Sequence, residues 1–170
     1  LCTGENPTCA TYAKDGEMFA RVTARAESKE KAAALCEPIV AELKKRLGNF
    51  CYGTDVESLE EAVVRLLTEK HQTVATAESC TGGLVAKRIT DIPGSSDVFH
   101  MGVVTYSNDG KTKLLGVPEE MLAKYSAVSP QVAKRMAQGI QERSGADYGI
   151  GVTGLAGPGG GTPEKPVGLV

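Results

Sequence analysis

Ser79 stands in the run Thr73-Val-Ala-Thr-Ala-Glu-Ser-Cys-Thr-Gly-Gly83. The run reads as a short apolar strand that turns sharply into a helix. A residue at such a turn lies at the carboxyl end of its strand, where open α/β sheets bind ligands. The N–H groups that follow point outward at the positive end of a helix dipole. Ser79 is therefore placed to attack a carbonyl carbon. The N–H groups of Cys80, Thr81 and Gly82 are placed to hold the oxyanion that forms. The same pattern also fits a plain helix cap, with the glycines easing packing. Cys80 is the rival nucleophile, because a helix N-terminus lowers a thiol's pKa. Ser79 ranks ahead of it as the more exposed position at the turn.

A serine nucleophile needs a base. The chain has two histidines, His71 and His100. His71 ends a polar helix, and His100 falls in an apolar strand where a satisfied core residue is expected. A lysine with a lowered pKa is the other common activator. The segment Tyr106-Ser-Asn-Asp-Gly-Lys111 offers one, after the next strand. If the strands are parallel, Tyr106 and Lys111 emerge at the same sheet edge as Ser79. Such a Ser/Lys/Tyr set suits metal-free hydrolysis of an amide. An ordinary surface lysine is the plainer reading of Lys111 on spacing alone.

The third unusual stretch is Thr153-Gly-Leu-Ala-Gly-Pro-Gly-Gly-Gly-Thr-Pro-Glu-Lys-Pro166. Glycines let backbone N–H groups converge on an anion, and three prolines stiffen the loop. It lacks GK[ST] and no helix follows a GxGxxG, so it is neither a P-loop nor a dinucleotide fingerprint. A stiffened glycine loop directly after a strand argues for a shaped binding surface over a flexible linker.

These segments need a sheet to hold them. The 170 residues carry 41% hydrophobic and 24% charged residues, which suits a globular chain of one domain or two small ones. No apolar run approaches the roughly 20 residues of a membrane span, and LCTGENPTC lacks the layout of a signal peptide. Net charge is −2, which disfavours a cationic surface for nucleic acid or membrane. Trp is absent, so the core must be aliphatic, and nine of the 20 glycines fall between Gly145 and Gly168. The five cysteines (Cys2, Cys9, Cys36, Cys51, Cys80) form no CxxC pair, which speaks against zinc and for reduced thiols in a cytoplasmic protein. Only a meeting of Cys9 with Cys51 stays open.

Residues 10 to 26 read as a hairpin turning at Asp15-Gly16. Ser28 caps a helix to about Leu47, with a kink or break expected at Pro38. Asn49 to Tyr52 reads as a short strand, closing a small α+β unit near Gly53. The box Ser58-Leu-Glu-Glu61 opens an amphipathic helix. Strands then alternate with helices: strand 73–77, helix 80–90, strand 98–106, a helix capped by Ser107 and ending at Gly116, helix 118–125, a helix capped by Ser129 with Pro130 first, and strand 147–153. Val167 begins another strand. The alternation predicts an α/β sheet with a parallel component and helices on its faces.

At these residues the sequence resembles a known family. AESCTGG (77–83), IPGSSDVFHMGVVTYSNDGK (92–111), LLGV (114–117), AVS (127–129) and VTGLAGPGGGTPEKPVG (152–168) resemble the C-terminal domain of the CinA family. Residues 1–55, with NPTCATYAKDGE, look like that family's KH-like middle domain. The resemblance implies a three-layer α/β/α domain over 56–170, truncated, behind a small α+β domain over 1–55. It implies nicotinamide mononucleotide deamidase activity: the substrate plus water gives nicotinate mononucleotide and ammonia. It assigns Ser79 as nucleophile, with Tyr106 and Lys111 as activating partners. Glu78, Cys80, Thr81, Gly82, Thr153, Gly157, Gly159, Gly160 and Thr162 are expected around the substrate, Glu78 as a group that orients the site. No metal and no cofactor is implied. A cytoplasmic homodimer acting on a small nucleotide, away from membranes and nucleic acid, is the expected setting.

Several departures qualify the resemblance. Residues 1–55 lack the GxxG clamp of nucleic-acid-binding KH domains, and residues 1–72 hold 10 basic against 12 acidic groups. The first unit therefore reads as a spacer or dimerisation module. Family members continue beyond the apolar run that holds Val170, with another strand and helix and a further basic residue near the phosphate. The family's N-terminal molybdopterin-binding-like domain has no counterpart in these residues. Gly110 stands where Ala or Val is more familiar. The competing expectation is a non-catalytic module that binds a nucleotide or a protein in competence or the DNA damage response.

Overall fold

The computed structural model describes residues 4–14 and 16–170. Cys2 and Asp15 lie outside the described residues. The chain divides into two compact units, with the division between Leu59 and Glu60.

In the first unit, β1 (Thr8–Lys14) pairs antiparallel with β2 (Glu17–Thr23), Tyr12 facing Phe19. A 19-residue helix follows, α1 (Lys29–Leu47). Ser28 Oγ accepts from the Lys31 N–H at its start, and Lys44, Lys45 and Arg46 face its carbonyl end. Of the kink or break expected at Pro38, the break does not occur, and α1 runs through the proline as one element. The proline removes one donor from the ladder, and the capped, charge-matched ends hold the rest. The strand expected at 49–52 is instead a single 3-10 turn over Gly48–Phe50, because Gly48 ends α1 at a positive φ. Cys9 and Cys51 form no disulfide with each other.

The second unit is a three-stranded parallel sheet between helices. Its elements are α2 (Leu59–Lys70), β3 (Val74–Glu78), α3 (Leu84–Thr90), β4 (Phe99–Val104), α4 (Asn108–Leu115), α5 (Glu119–Tyr125), α6 (Pro130–Ser144) and β5 (Tyr148–Val152). Strand order is β4-β3-β5, with β3 fully buried in the middle. The two-residue period of β3 sorts its side chains. Ala75 and Ala77 join Leu115, Val117, Leu122, Val132, Met136 and Ile140 on the face covered by α4, α5 and α6. Val74 joins Val64, Leu67, Ile89 and Val98 on the face covered by α2 and α3. These are the three layers the resemblance implies. Among the described residues no helix is long and apolar enough to cross a membrane.

Helix α6 lies backbone to backbone on β5. A Cβ at Gly149 or Gly151 would fall inside the radius of the Ala137 or Ala133 carbonyl oxygen. Two of the clustered glycines thus serve close packing. Gly151→Ala is expected to cost ~1–3 kcal/mol through overpacking, seen as a lower melting temperature. An unchanged melt would contradict the tight approach.

Strand β3 starts at a polar clasp with β5. Asp147 Oδ2 accepts from the Thr73 N–H at 2.8 Å and from Thr73 Oγ1 at 2.9 Å. These bonds, the side-chain one foremost, hold the Asp147 carboxyl below its ordinary pKa. The clasp sits at the amino ends of the parallel strands. The opposite, carboxyl ends carry Ser79.

Candidate active site

Strand β3 delivers Ser79 directly after Glu78. The Ser79 N–H continues the ladder to Val152 O at 3.0 Å, so the residue is fixed to the end of β5. Strand β4 ends beside it, where the Thr105 N–H donates to Glu78 O at 2.8 Å. The chain then turns at Ser107, whose Oγ accepts from the Gly110 N–H, and enters α4. Lys111 and Leu115 are the buried residues of α4, four apart on its inner face. An inward position in an apolar pattern is thus filled by a lysine.

Lys111 is 1% exposed. Its Nζ donates to Ser79 Oγ at 3.0 Å, to Thr105 O at 2.8 Å and to Tyr106 O at 3.4 Å. Among the described residues no carboxylate forms an ion pair with it. Burial pushes its pKa below the ordinary 10.5, against a smaller opposing pull from Cys80. The two histidines lie elsewhere. His71 precedes β3, and His100 follows Phe99, the partner of Val74, so both sit toward the amino ends of the strands. His100 is exposed, not the core residue expected, because β4 is an edge strand.

Glu78 is fully buried, and both its oxygens are taken by the segment that follows Ser79. Its Oε2 accepts from Thr81 Oγ1 at 2.6 Å, Gly83 N at 3.1 Å and Val85 N at 3.0 Å, while Oε1 accepts from Ala86 N at 2.8 Å. The carboxylate thereby caps α3 from the preceding strand. This is why α3 begins at Leu84 and not at Cys80. Residues 79–83 are a turn, made possible by positive φ at Gly82 and Gly83. Burial alone would raise the Glu78 pKa, but the Thr81 hydroxyl and the three N–H groups hold it below 4.5.

Glu78→Gln leaves one oxygen to serve four donors. It is expected to cost about 2–4 kcal/mol, read by urea or thermal unfolding. The sign follows from the depressed pKa. The stabilisation is present above pH 4.5 and fades as the pH falls below it, so the gap between parent and variant should narrow in acid. A gap that widens in acid would refute the assignment.

The turn leaves fewer oxyanion donors than the sequence suggests. The Gly82 N–H is taken by Ser79 O at 3.1 Å. Among the described residues no acceptor pairs with the N–H groups of Cys80 and Thr81. Thr81's side chain is committed to Glu78. Thr153 is buried, and its Oγ1 donates to Ala127 O at 2.9 Å, which anchors the loop root. Gly157, Gly159, Gly160 and Thr162 are exposed along the loop. The loop closes on itself, Leu155 N donating to Leu169 O and Gly168 N to Leu155 O, each at 2.8 Å. Residues 167–170 form this closure and not the strand expected from Val167. At the loop root, a Cβ on Gly154 would stand 2.9 Å from Cys80 Sγ, so the loop starts against the Ser79 turn.

A family model described as the CinA C-terminal domain matches residues 56–170, and one described as the damage-inducible protein CinA KH domain matches residues 1–53. The chain belongs to the CinA family. A CinA-like protein of Desulfovibrio desulfuricans is 62% identical over 170 residues, all of this chain and 40% of the relative. A CinA-like protein of Kosmotoga olearia is 53% identical over 166 residues, 98% of this chain and 40% of the relative. The chain thus spans about two fifths of the curated relatives it matches. The crystal structure of competence/damage inducible protein CihA from Agrobacterium tumefaciens superposes with a TM-score of 0.64 at 49% identity, covering 69% of this chain and 72% of that one.

Of the residues that resemblance to CinA implies, Ser79 and Lys111 come together. Tyr106 does so only through its backbone. Its carbonyl touches Lys111, while the residue is 72% exposed. Sequence reasoning missed Thr105, whose carbonyl is the nearer anchor of Lys111. Its one signal is a polar residue closing an apolar strand.

Proposed function

We propose that this site hydrolyses the carboxamide of nicotinamide mononucleotide to nicotinate mononucleotide and ammonia. The observation that carries the reading is the buried Lys111 amine 3.0 Å from Ser79 Oγ. The substrate comes from the likeness to the CinA C-terminal domain.

The chemistry follows from the donors and acceptors. A neutral amine has two N–H groups and one lone pair. Thr105 O and Tyr106 O take the N–H groups, so the lone pair is left for the Ser79 hydroxyl, which then donates to Nζ. Lys111 removes that proton as Ser79 Oγ attacks the carboxamide carbon. The N–H groups of Cys80 and Thr81 receive the oxyanion. The new ammonium holds its charge against the two carbonyls and returns a proton to the leaving nitrogen, which departs as ammonia. Water then attacks the acyl-Ser79 ester with Lys111 again as base, releasing nicotinate mononucleotide and the free serine. Cys80 stands aside from this relay, since the amine bonds the Ser79 hydroxyl.

The test is ammonia release from nicotinamide mononucleotide by the intact protein. Stoichiometric ammonia and nicotinate mononucleotide support the reading. Absence of both in folded protein refutes it.

A further inference from the structure

We infer that Lys165 is a positioning residue that latches the glycine-rich loop onto the end of α5. From residue 156 to residue 170, Lys165 alone is not exposed. Its Nζ donates to Tyr125 O at 3.1 Å and to Ser126 Oγ. Tyr125 is the last residue of α5, where unpaired carbonyls carry partial negative charge. A lysine cation is the natural partner of that end.

The backbone on both sides of the latch is prepared for it. On the loop side, Thr162 and Lys165 form a tight turn: Thr162 N donates to Lys165 O at 2.9 Å, and Lys165 N donates to Thr162 Oγ1 at 3.0 Å. On the helix side, Ser126 is a non-glycine residue at φ +64, a conformation that persists only when its surroundings hold it. It is braced by Ser129 Oγ donating to Ser126 O at 3.0 Å, and its own Oγ reaches Val128 O at 3.3 Å. The next residue, Ala127, takes the Thr153 hydroxyl. Both ends of the loop are therefore tied to residues 125–127, one by a buried hydroxyl and one by a charge. The loop's own backbone bonds close it on itself, and these two ties fix it to the rest of the unit.

The consequence rests on the proposed deamidase reaction. With the latch made, the loop is ordered before substrate arrives, and binding does not have to order it. Lys165→Met is expected to raise KM about 5–10-fold while kcat stays within about threefold, the size of one ordinary net hydrogen bond. Lys165→Arg should restore most of the KM, since a guanidinium reaches both acceptors. Ser126→Ala should raise KM more modestly and add nothing on top of Lys165→Met, as two ends of one contact. Melting temperatures of all variants, measured in parallel, separate this from general loss of fold.

Hydrogen exchange tests the latch independently of turnover. In Lys165→Met the Thr162 and Gly168 amides should exchange about tenfold faster, with β3 unchanged. Unchanged exchange overturns the latch. Faster exchange with an unchanged KM overturns its positioning role. A KM effect confined to phosphorylated substrate, with Ser126→Ala silent, overturns it in favour of direct phosphate contact. If the parent protein releases no ammonia, the deamidase reading falls and exchange alone still decides the latch.

Discussion

Ser79→Ala is expected to lower ammonia release from nicotinamide mononucleotide at least ~10³-fold, the loss typical of a deleted serine nucleophile. The substitution removes one oxygen, whose bond in the structure is to Lys111. It leaves the N–H to Val152 and the Glu78 cap intact, so the fold and the donors of Cys80 and Thr81 stay in place. The loss therefore reports chemistry. Near-parental turnover in Ser79→Ala would sink the nucleophile assignment. Cys80→Ala is the matched contrast and should keep most of the activity, because it deletes a thiol while preserving the N–H. A reversed pair of results would move the nucleophile to Cys80.

Lys111→Met should be as damaging, ~10³–10⁴-fold, yet not destabilising in the usual way. Lys111→Arg should not rescue, since a guanidinium stays charged and has no lone pair to offer. The folded pKa of Lys111 is depressed below 10.5 by burial. The protonated form is thus disfavoured in the folded state relative to the unfolded one. Parent stability is undiminished above pH 10.5 and declines as the pH falls from there toward the folded pKa. Methionine has no such dependence. The melting temperature of Lys111→Met relative to the parent should rise as the pH is lowered through that window. A difference that shrinks on acidification would show that Lys111 is held as a stabilised cation. The same depression predicts that kcat/KM climbs with pH as the free amine forms.

Much of this arrangement could be read from local signals. Ser107 and Ser129 announce their helices because a serine cap is a property of four consecutive residues. Ser79 could be placed because a buried run followed by Gly82-Gly83 has few alternatives to a sharp turn. Lys111 could be placed because parallel strands put their following loops at one edge. What stayed hidden depends on distant partners. Glu78 looks like a site carboxylate from its neighbours in sequence. Only the fold shows that α3 turns back over it and takes both oxygens. His100 looks buried until the strand order makes β4 an edge. Pro38 looks like a break until the charges and caps of the whole helix are weighed. The Thr105 carbonyl is marked only by the polar side chain that closes its strand, since every residue has a carbonyl. The latch at Lys165 joins residues 40 apart in the chain, beyond any periodic pattern.

The Glu78 cap also fixes the sign of the field at the turn. A bare helix end there would draw anions, and a phosphate would compete with the carboxamide for the same donors. The buried carboxylate has already cancelled that attraction. What is left at Ser79 is the two N–H groups of Cys80 and Thr81, enough for the single oxygen of a carboxamide and too few for the oxygens of a phosphate. In the proposed reaction, a mononucleotide is thereby turned carboxamide-first, its phosphate kept at a distance from Ser79 by a charge it never touches.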